Sequence, residues 1–105
     1  MDAQNPDITK FYPGYGVASV WDIVCGNIYY SFTTGITAKN QGFLYVQPSP
    51  TDPNSFNNYT DTMHSAPASG LTAMIIKSAN CSTVTMRDGI TGKTARFSVK
   101  TQNWE

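Results

Sequence analysis

The stretch VASVWDIVCGNIYYSFTT, residues 17–34, decides the fold because it contains two strand-like segments joined by a tight turn. Residues 28–34 alternate between two faces, residues 17–25 are partly apolar on both faces, and both segments are rich in β-branched and aromatic side chains, which favour strands. Gly26 and Asn27 stand between them, and both residue types tolerate positive φ. The stretch therefore predicts an antiparallel hairpin with a two-residue turn.

Alternation assigns the side chains of the returning strand to two faces. Tyr30 and Phe32 share one face with Ile28, and we expect them in the core together with Phe56, because a small barrel needs large side chains. The opposite face carries our candidate ligand-binding residues, Tyr29, Ser31 and Thr33. The alternative is that these three lie on a solvated strand face or at a subunit interface.

Residues 43–47 predict a third strand, followed by a proline-rich run at residues 48–53. Because proline lacks a backbone donor, we expect this run to lie outside any sheet. It leads into a predicted helix with Asp52 as N-cap and Pro53 as the first helical residue. One face of this helix would carry Phe56, Tyr59 and Met63, and its end is predicted at Pro67 and Gly70.

Residues 71–77 predict a fourth strand, and residues 82–87 and 95–101 a last hairpin around Asp88-Gly89 and Gly92. The chain is thus predicted to be mainly β with one helix. The helix after the third strand favours an OB-fold-like five- to six-stranded Greek-key barrel, with a small sandwich as the alternative. Residues 1–14 are interpreted as a loosely held N-terminal arm, and residues 15–105 as a single OB-fold-like domain.

The charge content argues against several partners. Only 13% of the 105 residues are charged and the formal net charge is zero, which opposes a nucleic-acid or membrane-surface role. No apolar run in the sequence is long enough to span a membrane. Residues 71–105 nevertheless carry five bases and two acids. This excess is typical either of a solvated strand face or of a site for an anionic partner.

The two cysteines, Cys25 and Cys81, have a spacing that matches no zinc or redox motif. In a chain with so little charge they favour one disulfide formed in an oxidising compartment, the alternative being two unrelated thiols in the cytosol. Met1 followed by Asp-Ala-Gln-Asn-Pro is interpreted as an initiator methionine placed on a mature N-terminus. We therefore expect a secreted or periplasmic protein whose leader has been removed.

Catalytic chemistry is hard to build from these residues. The one histidine, His64, falls on the predicted helix one turn after Asp61, and no nucleophile is placed to complete a triad. We expect no enzyme activity, no metal and no cofactor. Flat aromatic faces for sugar rings or bases are instead offered by Trp21, Tyr29, Tyr30, Tyr45, Tyr59 and Trp104. The triplets that start at Asn58 and Asn80 fit the glycosylation sequon, which is common by chance.

Four segments carry a resemblance to a known group of proteins: YGVASVW at 15–21, GNIYYSF at 26–32, YTDTMHSAPASGLTAMII at 59–76 and NCS at 80–82. In layout they resemble small exported bacterial OB-fold proteins. The same layout resembles the receptor-binding B subunits of pentameric toxins of the pertussis and subtilase types. This resemblance implies a non-catalytic subunit that binds sialylated glycans through a shallow site on the barrel and assembles into rings by pairing sheet edges.

The function predicted first is an exported binding module for a host or cell-surface glycan, as in a toxin B subunit. The alternative is a periplasmic or secreted structural or protein-interaction protein without a small ligand, and a single-strand nucleic-acid binder is opposed by the neutral charge. Residues 71–76 carry no charge and the first hairpin carries none apart from Asp22, so we expect open strand edges there and a homo-oligomer, such as a pentamer. Otherwise the arm or the last hairpin covers those edges in a monomer.

Overall fold

The computed structural model describes residues 5–67 and 71–105. These residues form one short helix and eight strands: α1 (Pro6–Phe11), β1 (Gly16–Cys25), β2 (Ile28–Ile36), β3 (Gly42–Pro50), β4 (Thr62–Ser65), β5 (Met74–Ala79), β6 (Thr83–Asp88), β7 (Thr94–Ser98) and β8 (Asn103–Trp104). Sheet 1 has the order β1-β2-β3-β4 and sheet 2 the order β5-β6-β7-β8, with antiparallel pairing throughout. The mainly β composition is confirmed. The barrel is not, since neither sheet closes within the described residues.

The predicted first hairpin is confirmed. Cys25 pairs with Ile28 across the turn, and the pairing of β1 with β2 continues to Gly16 and Ile36. Gly26 has φ 63° and is the only one of the two turn residues with a positive φ. This is the pattern of a type II′ turn, in which the first central position requires glycine and the twist matches that of the strands.

A bulge at Ala18 interrupts β1. Val17 pairs with Gly35, but Ser19 pairs with Thr34, so one residue of β1 has no partner. The extra residue moves Val17 to the outer face and leaves Ser19 on the face toward sheet 2. Gly35 opposite the bulge is required, because a Cβ there would lie 1.9 Å from the carbonyl oxygen of Gly16.

Strand β3 is longer than predicted, and the expectation that residues 48–50 lie outside the sheet is wrong. Pro48 and Pro50 pair with Tyr30 and Ile28 of β2. The N–H of Thr51 points toward β2, because it donates to the carbonyl of Asn27. Backbone nitrogens alternate in direction along a strand, so those of Pro48 and Pro50 point to the other side of β3. That side has no strand partner there, because β4 pairs only as far as Val46. No ladder hydrogen bond is therefore lost.

The helix predicted after Asp52 is wrong. Residues 51–55 form turns, residues 56–61 are extended or irregular, and residues 62–65 form β4 against β3. The segment is rich in Asn and Thr, which have low helix propensity, so its helical spacing of apolar residues was not sufficient. Thr62, Met63, His64 and Ser65 instead alternate between faces. The predicted helix end at Gly70 lies outside the described residues.

The single helix lies instead in the segment predicted as a loose arm. Asn5 caps α1 by accepting from the N–H of Asp7 at 3.0 Å, and Pro6 occupies the first helical position. Ile8 is fully buried on the outer face of sheet 1 against Phe43 and Tyr45. Tyr12, Tyr15, Val17 and Met63 pack around this cluster. Residues 5–11 are therefore held against the sheet, and residues 1–4 lie outside the described residues.

The main core lies between the two sheets. Sheet 1 contributes Phe32, Leu44 and Val46, all nearly or fully buried, and sheet 2 contributes Met74, Ile76, Val84, Met86, Ala95 and Phe97. The expectation that Phe32 is internal is confirmed, and Tyr30 is partly buried against the same cluster. Strands β5 to β7 alternate buried and exposed residues, so sheet 2 packs on one face only.

Besides this core, a disulfide and several hydrogen bonds join the sheets. The predicted disulfide between Cys25 and Cys81 connects the end of β1 to the β5–β6 turn. The Ser19 hydroxyl accepts from the N–H of Ile76 at 3.0 Å, and the Thr34 hydroxyl donates to the carbonyl of Met74 at 2.9 Å. The expectation of an open edge at residues 71–76 is therefore wrong at these two positions, because hydroxyl groups satisfy the backbone there.

A buried carboxylate organises the β6–β7 connection. Asp88 has no exposed surface and accepts from the N–H groups of Thr91, Thr72 and Ile90 and from the Thr72 hydroxyl. These hydrogen bonds hold the pKa of Asp88 well below its ordinary value, and the bond from Thr91 has the largest effect. Asp88 therefore fixes both the turn after β6 and the chain that enters β5.

Candidate functional site

The predicted recognition strip on β2 is divided in two. Thr33 is completely buried, because Asn5 lies over it and donates its amide to the Thr33 hydroxyl at 2.8 Å. The same amide donates to the side chain of Gln47 at 2.8 Å. Thr33 therefore serves to anchor α1, and the expectation that it faces solvent is wrong.

The other two members of the strip remain accessible. Tyr29 is 37% exposed, and its hydrogen bond to Asp22 is the main reason that the pKa of the Tyr29 hydroxyl is raised. Ser31 is half-buried and pairs with Asp22 on one side and Gln47 on the other. These residues form a polar surface with one aromatic ring.

A concave site lies next to this surface, where the β1–β2 turn meets the chain that follows β3. It is an open cleft of about 380 Å³. Except for Pro50 its lining is aromatic or polar, and it consists of Asn27, Pro50, Thr51, Asp52, Ser55, Phe56, Asn58 and Tyr59. Two segments distant in sequence thus meet at one end of sheet 1.

Hydrogen bonds fix the first part of this lining. Thr51 donates its N–H to the carbonyl of Asn27 at 3.1 Å, which ties the end of β3 to the hairpin turn. Asp52 then forms a tight turn, because its side chain accepts from the N–H of Asn54 at 2.9 Å and its carbonyl from Ser55 at 3.0 Å. The Asp52 carboxylate is therefore held at the cleft by its own turn.

Two aromatic rings line the cleft from the irregular segment. Phe56 is 87% exposed and Tyr59 is 40% exposed, and the Asn57 side chain holds the backbone of Tyr59 by accepting from its N–H at 3.1 Å. The expectation that Phe56 belongs to the core is wrong, because the helix that would have turned it inward does not form. The sequence had suggested Tyr59 as a flat face for ligands.

The lining combines apolar rings with groups that donate or accept hydrogen bonds. Asn27 and Asn58 each offer both kinds of group, the Thr51 and Tyr59 hydroxyls do the same, and Asp52 offers only acceptors. Such a set suits a small polar ligand that also has an apolar face. Asn27 is predicted as a hairpin-turn residue, which is confirmed, whereas Asp52 is predicted as a helix N-cap, which is wrong because it caps a short turn instead.

A second cleft of about 400 Å³ lies at the opposite end of sheet 1 and is lined by Tyr15, Thr37, Ala38, Lys39, Gln41 and Ser65. Its one aromatic residue, Tyr15, packs against Tyr12 and Phe43 at centroid distances of 5.2 and 5.4 Å. Nearby, burial raises the pKa of Tyr45, whose hydroxyl donates to Asp61 at 3.1 Å. The rings at this end therefore belong to the outer hydrophobic cluster.

His64 lies on β4 and not on a helix. Its Nε2 is 2.9 Å from the Thr62 hydroxyl and its ring centroid is 4.5 Å from that of Phe97. Burial lowers the pKa of His64. Asp61, which would have to orient the imidazole in a triad, is bonded to Tyr45 instead.

Neither a metal site nor a membrane-spanning helix is found in residues 5–67 and 71–105. No group of three or more His, Cys, Asp or Glu residues is placed there to hold an ion, and no helix is long and apolar enough to cross a bilayer. Comparisons with protein-family models, curated proteins and solved structures found no match to the chain. What the cleft binds must therefore be inferred from its own residues.

Proposed function

We propose that this chain is an exported, non-catalytic binding module that recognises a host or cell-surface glycan in the cleft between the β1–β2 turn and residues 51–59. The observation that carries the proposal is the pair of exposed rings, Phe56 and Tyr59, in one cleft with two amides and a carboxylate. One exposed aromatic residue is ordinary on a protein surface. Two that share a concave site with a few polar groups match the way ligand pockets are lined.

Sugars match this lining in both of its properties. A pyranose ring has a face of C–H groups that packs on an aromatic ring, and a rim of hydroxyl groups that need donors and acceptors. Phe56 and Tyr59 supply the rings, and Asn27, Asn58 and Asp52 the polar partners. The cleft is open, so we expect it to contact one or two sugar residues with modest affinity.

The disulfide supports export, because such bonds persist in secreted and periplasmic compartments. We also propose that the protein is secreted or periplasmic and that it has an OB-type Greek-key barrel. In addition, we propose that it assembles as a toxin-like pentamer. A ring would suit a weak cleft, since several copies that bind one surface gain avidity. Light scattering gives the test: a mass near 11.5 kDa would contradict assembly.

A glycan array followed by NMR titration tests the cleft. The protein is produced in a bacterial periplasm, where the disulfide forms and Asn58 is not glycosylated. Phe56→Ala and Tyr59→Ala should each weaken binding of the array hit at least about tenfold, which corresponds to about 1.4 kcal/mol. Phe11→Ala is the matched control, because Phe11 is 60% exposed but lies on α1 and does not line the cleft.

Replacing Tyr29 distinguishes the cleft from the strand surface. Tyr29→Ala should leave glycan binding within about twofold, whereas a loss as large as that of Phe56→Ala would move the site to the strip around Tyr29 and Ser31. If wild-type protein binds no glycan on the array or in solution at millimolar concentration, the proposed function is wrong.

The second candidate is a structural or protein-interaction protein of the periplasm or the extracellular space. The observation in its favour is β1, an edge strand of sheet 1 on which Trp21 and Val24 are 38% and 61% exposed. Exposed edges with apolar residues invite pairing with another chain. Trp21→Lys would then abolish association in light scattering while leaving the cleft unchanged.

A further inference from the structure

The cleft contains one kind of charge. Of the described residues that line it, Asp52 alone is charged, and none is Lys, Arg or His. The two bases within residues 5–67 lie elsewhere: Lys39 lines the cleft at the other end of sheet 1, and Lys10 lies on α1 with its Nζ 5.2 Å from the Phe11 ring. A ligand in the cleft thus meets a carboxylate that no lining cation offsets.

The position of this carboxylate is set by the backbone. One carboxylate oxygen of Asp52 accepts from Asn54, and the Asp52 carbonyl accepts from Ser55, so the side chain is part of the turn. It is therefore not free to swing away from an anionic ligand without breaking the turn. A fixed acceptor favours neutral hydroxyl donors and repels a second carboxylate, and sites that bind carboxylates instead provide Arg, Lys or several N–H donors.

We infer that the cleft selects neutral sugars and discriminates against acidic ones, such as glycans that end in sialic or uronic acids, and that Asp52 is the residue that determines this selectivity. The inference rests on the proposed function and names its ligand class. It differs from the ligand that the toxin resemblance implies, which is sialylated. Rejection of the wrong ligand by an unpaired like charge is a general source of specificity.

Matched glycan pairs test the inference. The array carries each neutral oligosaccharide beside the same oligosaccharide with a terminal sialic acid, and each glucose-terminated chain beside its glucuronate-terminated form. Wild-type protein should bind the neutral member at least about fivefold more tightly at low salt, and the ratio should fall at high ionic strength because exposed charges are screened.

Two variants assign the effect to one residue. Asp52→Asn keeps an acceptor for the turn and should bring the ratio to within about twofold of unity, chiefly by improving binding of the acidic member. Asp22→Asn is the matched control: Asp22 is also exposed on sheet 1 but does not line the cleft, so the ratio should not change.

The outcomes separate the two proposals. Equal or tighter binding of the acidic members by wild-type protein would overturn the selectivity and leave the glycan-binding function in place. A ratio that Asp52→Asn leaves unchanged would overturn the role of Asp52. Failure to bind any member of any pair would overturn the proposed function and the selectivity with it.

Discussion

The two sheets have the same meander order but different surroundings. Sheet 1 is packed on both faces, since its inner face meets sheet 2 and part of its outer face lies under α1. Within residues 5–67 and 71–105, sheet 2 is packed on one face only, so Ile75 and Arg87 are exposed on its outer surface. The cleft lies at the end of the doubly packed sheet. Sheet 1 is therefore the more fully packed frame from which the cleft residues extend, and sheet 2 completes the core.

Charge divides along the same line. Residues 5–67 carry four acids and two bases, whereas residues 71–105 carry five bases and two acids. Asp88, one of the two acids in residues 71–105, is buried. The surface of these residues is therefore more basic than their composition indicates. If the anionic partner suggested by the sequence exists, it would meet sheet 2 and not the cleft.

The strongest test of the comparison is removal of one large side chain from each sheet. Phe32→Ala and Phe97→Ala should each lower the free energy of unfolding by about 3–5 kcal/mol, because both side chains are fully buried in the same core. Denaturant unfolding measures both. A small effect of Phe97→Ala beside a large effect of Phe32→Ala would mean that sheet 2 is not part of one cooperative unit.

The disulfide tests how far the sheets depend on a covalent link. The bridge joins residues 56 positions apart, and a Cys25→Ser/Cys81→Ser variant should lose roughly 2–4 kcal/mol of unfolding free energy because the unfolded chain regains entropy. Wild-type protein should gain two protons by intact mass on reduction. Two free thiols in native, unreduced protein would contradict the bridge.

The cap of α1 tests the outer packing that only sheet 1 has. Asn5→Ala removes the bond to Asp7 and those to Thr33 and Gln47, and should cost about 1–2 kcal/mol. Asn103→Ala on β8 is the matched control, because Asn103 is exposed and donates only within its own turn, to Thr101. Equal effects of the two variants would show that the hydrogen bonds of Asn5 contribute no more to stability than those of an exposed turn residue.

The smallest expected effect is the pH response of His64. The pKa of His64 is lowered below its unfolded value of about 6.5, so the unfolded chain binds a proton more readily than the folded one. The contribution of His64 to stability is therefore present above about pH 6.5 and declines as the pH falls below it, and the decline is small because the ring is partly exposed. A His64→Gln variant should lack this decline between pH 7 and 5. A wild-type stability that rises as the pH falls would contradict the burial.

The sequence predicted those parts of the fold whose signals are local and agree with one another. In the first hairpin, the β-branched and aromatic residues of 17–25, the alternation of residues 28–34 and the turn residue Gly26 favour the same structure, and it forms as predicted. In residues 51–65 two signals conflict. Phe56, Tyr59 and Met63 have helical spacing, whereas residues 62–65 also alternate as a strand, and the pairing with β3 decided between them. Tertiary contacts of this kind are not visible in a local pattern.

The site was only partly predictable for the same reason. Tyr59 was identified as a flat face from its residue type, but its neighbour Phe56 was assigned to the core as part of the helix. Thr33 was assigned to the surface because alternation does not show that α1 covers that part of the sheet. The start signals of α1 were present in Asn5 and Pro6, but the predicted arm extended across them. Asn27 and Asp52 line the same cleft, and α1 packs on sheet 1. Neither arrangement could be inferred without knowing how the strands of sheet 1 pair.

The two walls of the cleft differ in how much conformational freedom they would lose when a ligand binds. Asn27 stands two residues from the disulfide and its carbonyl is bonded to Thr51, so this wall is already ordered before binding. Phe56 is almost fully solvated and loses rotamer freedom only when a ligand covers it, at a cost of about 0.5–1.5 kcal/mol for an immobilised side chain. Binding should therefore carry an unfavourable conformational entropy that comes mainly from the wall of Phe56. Reduction of the disulfide should loosen the wall of Asn27, so that this wall also loses entropy on binding.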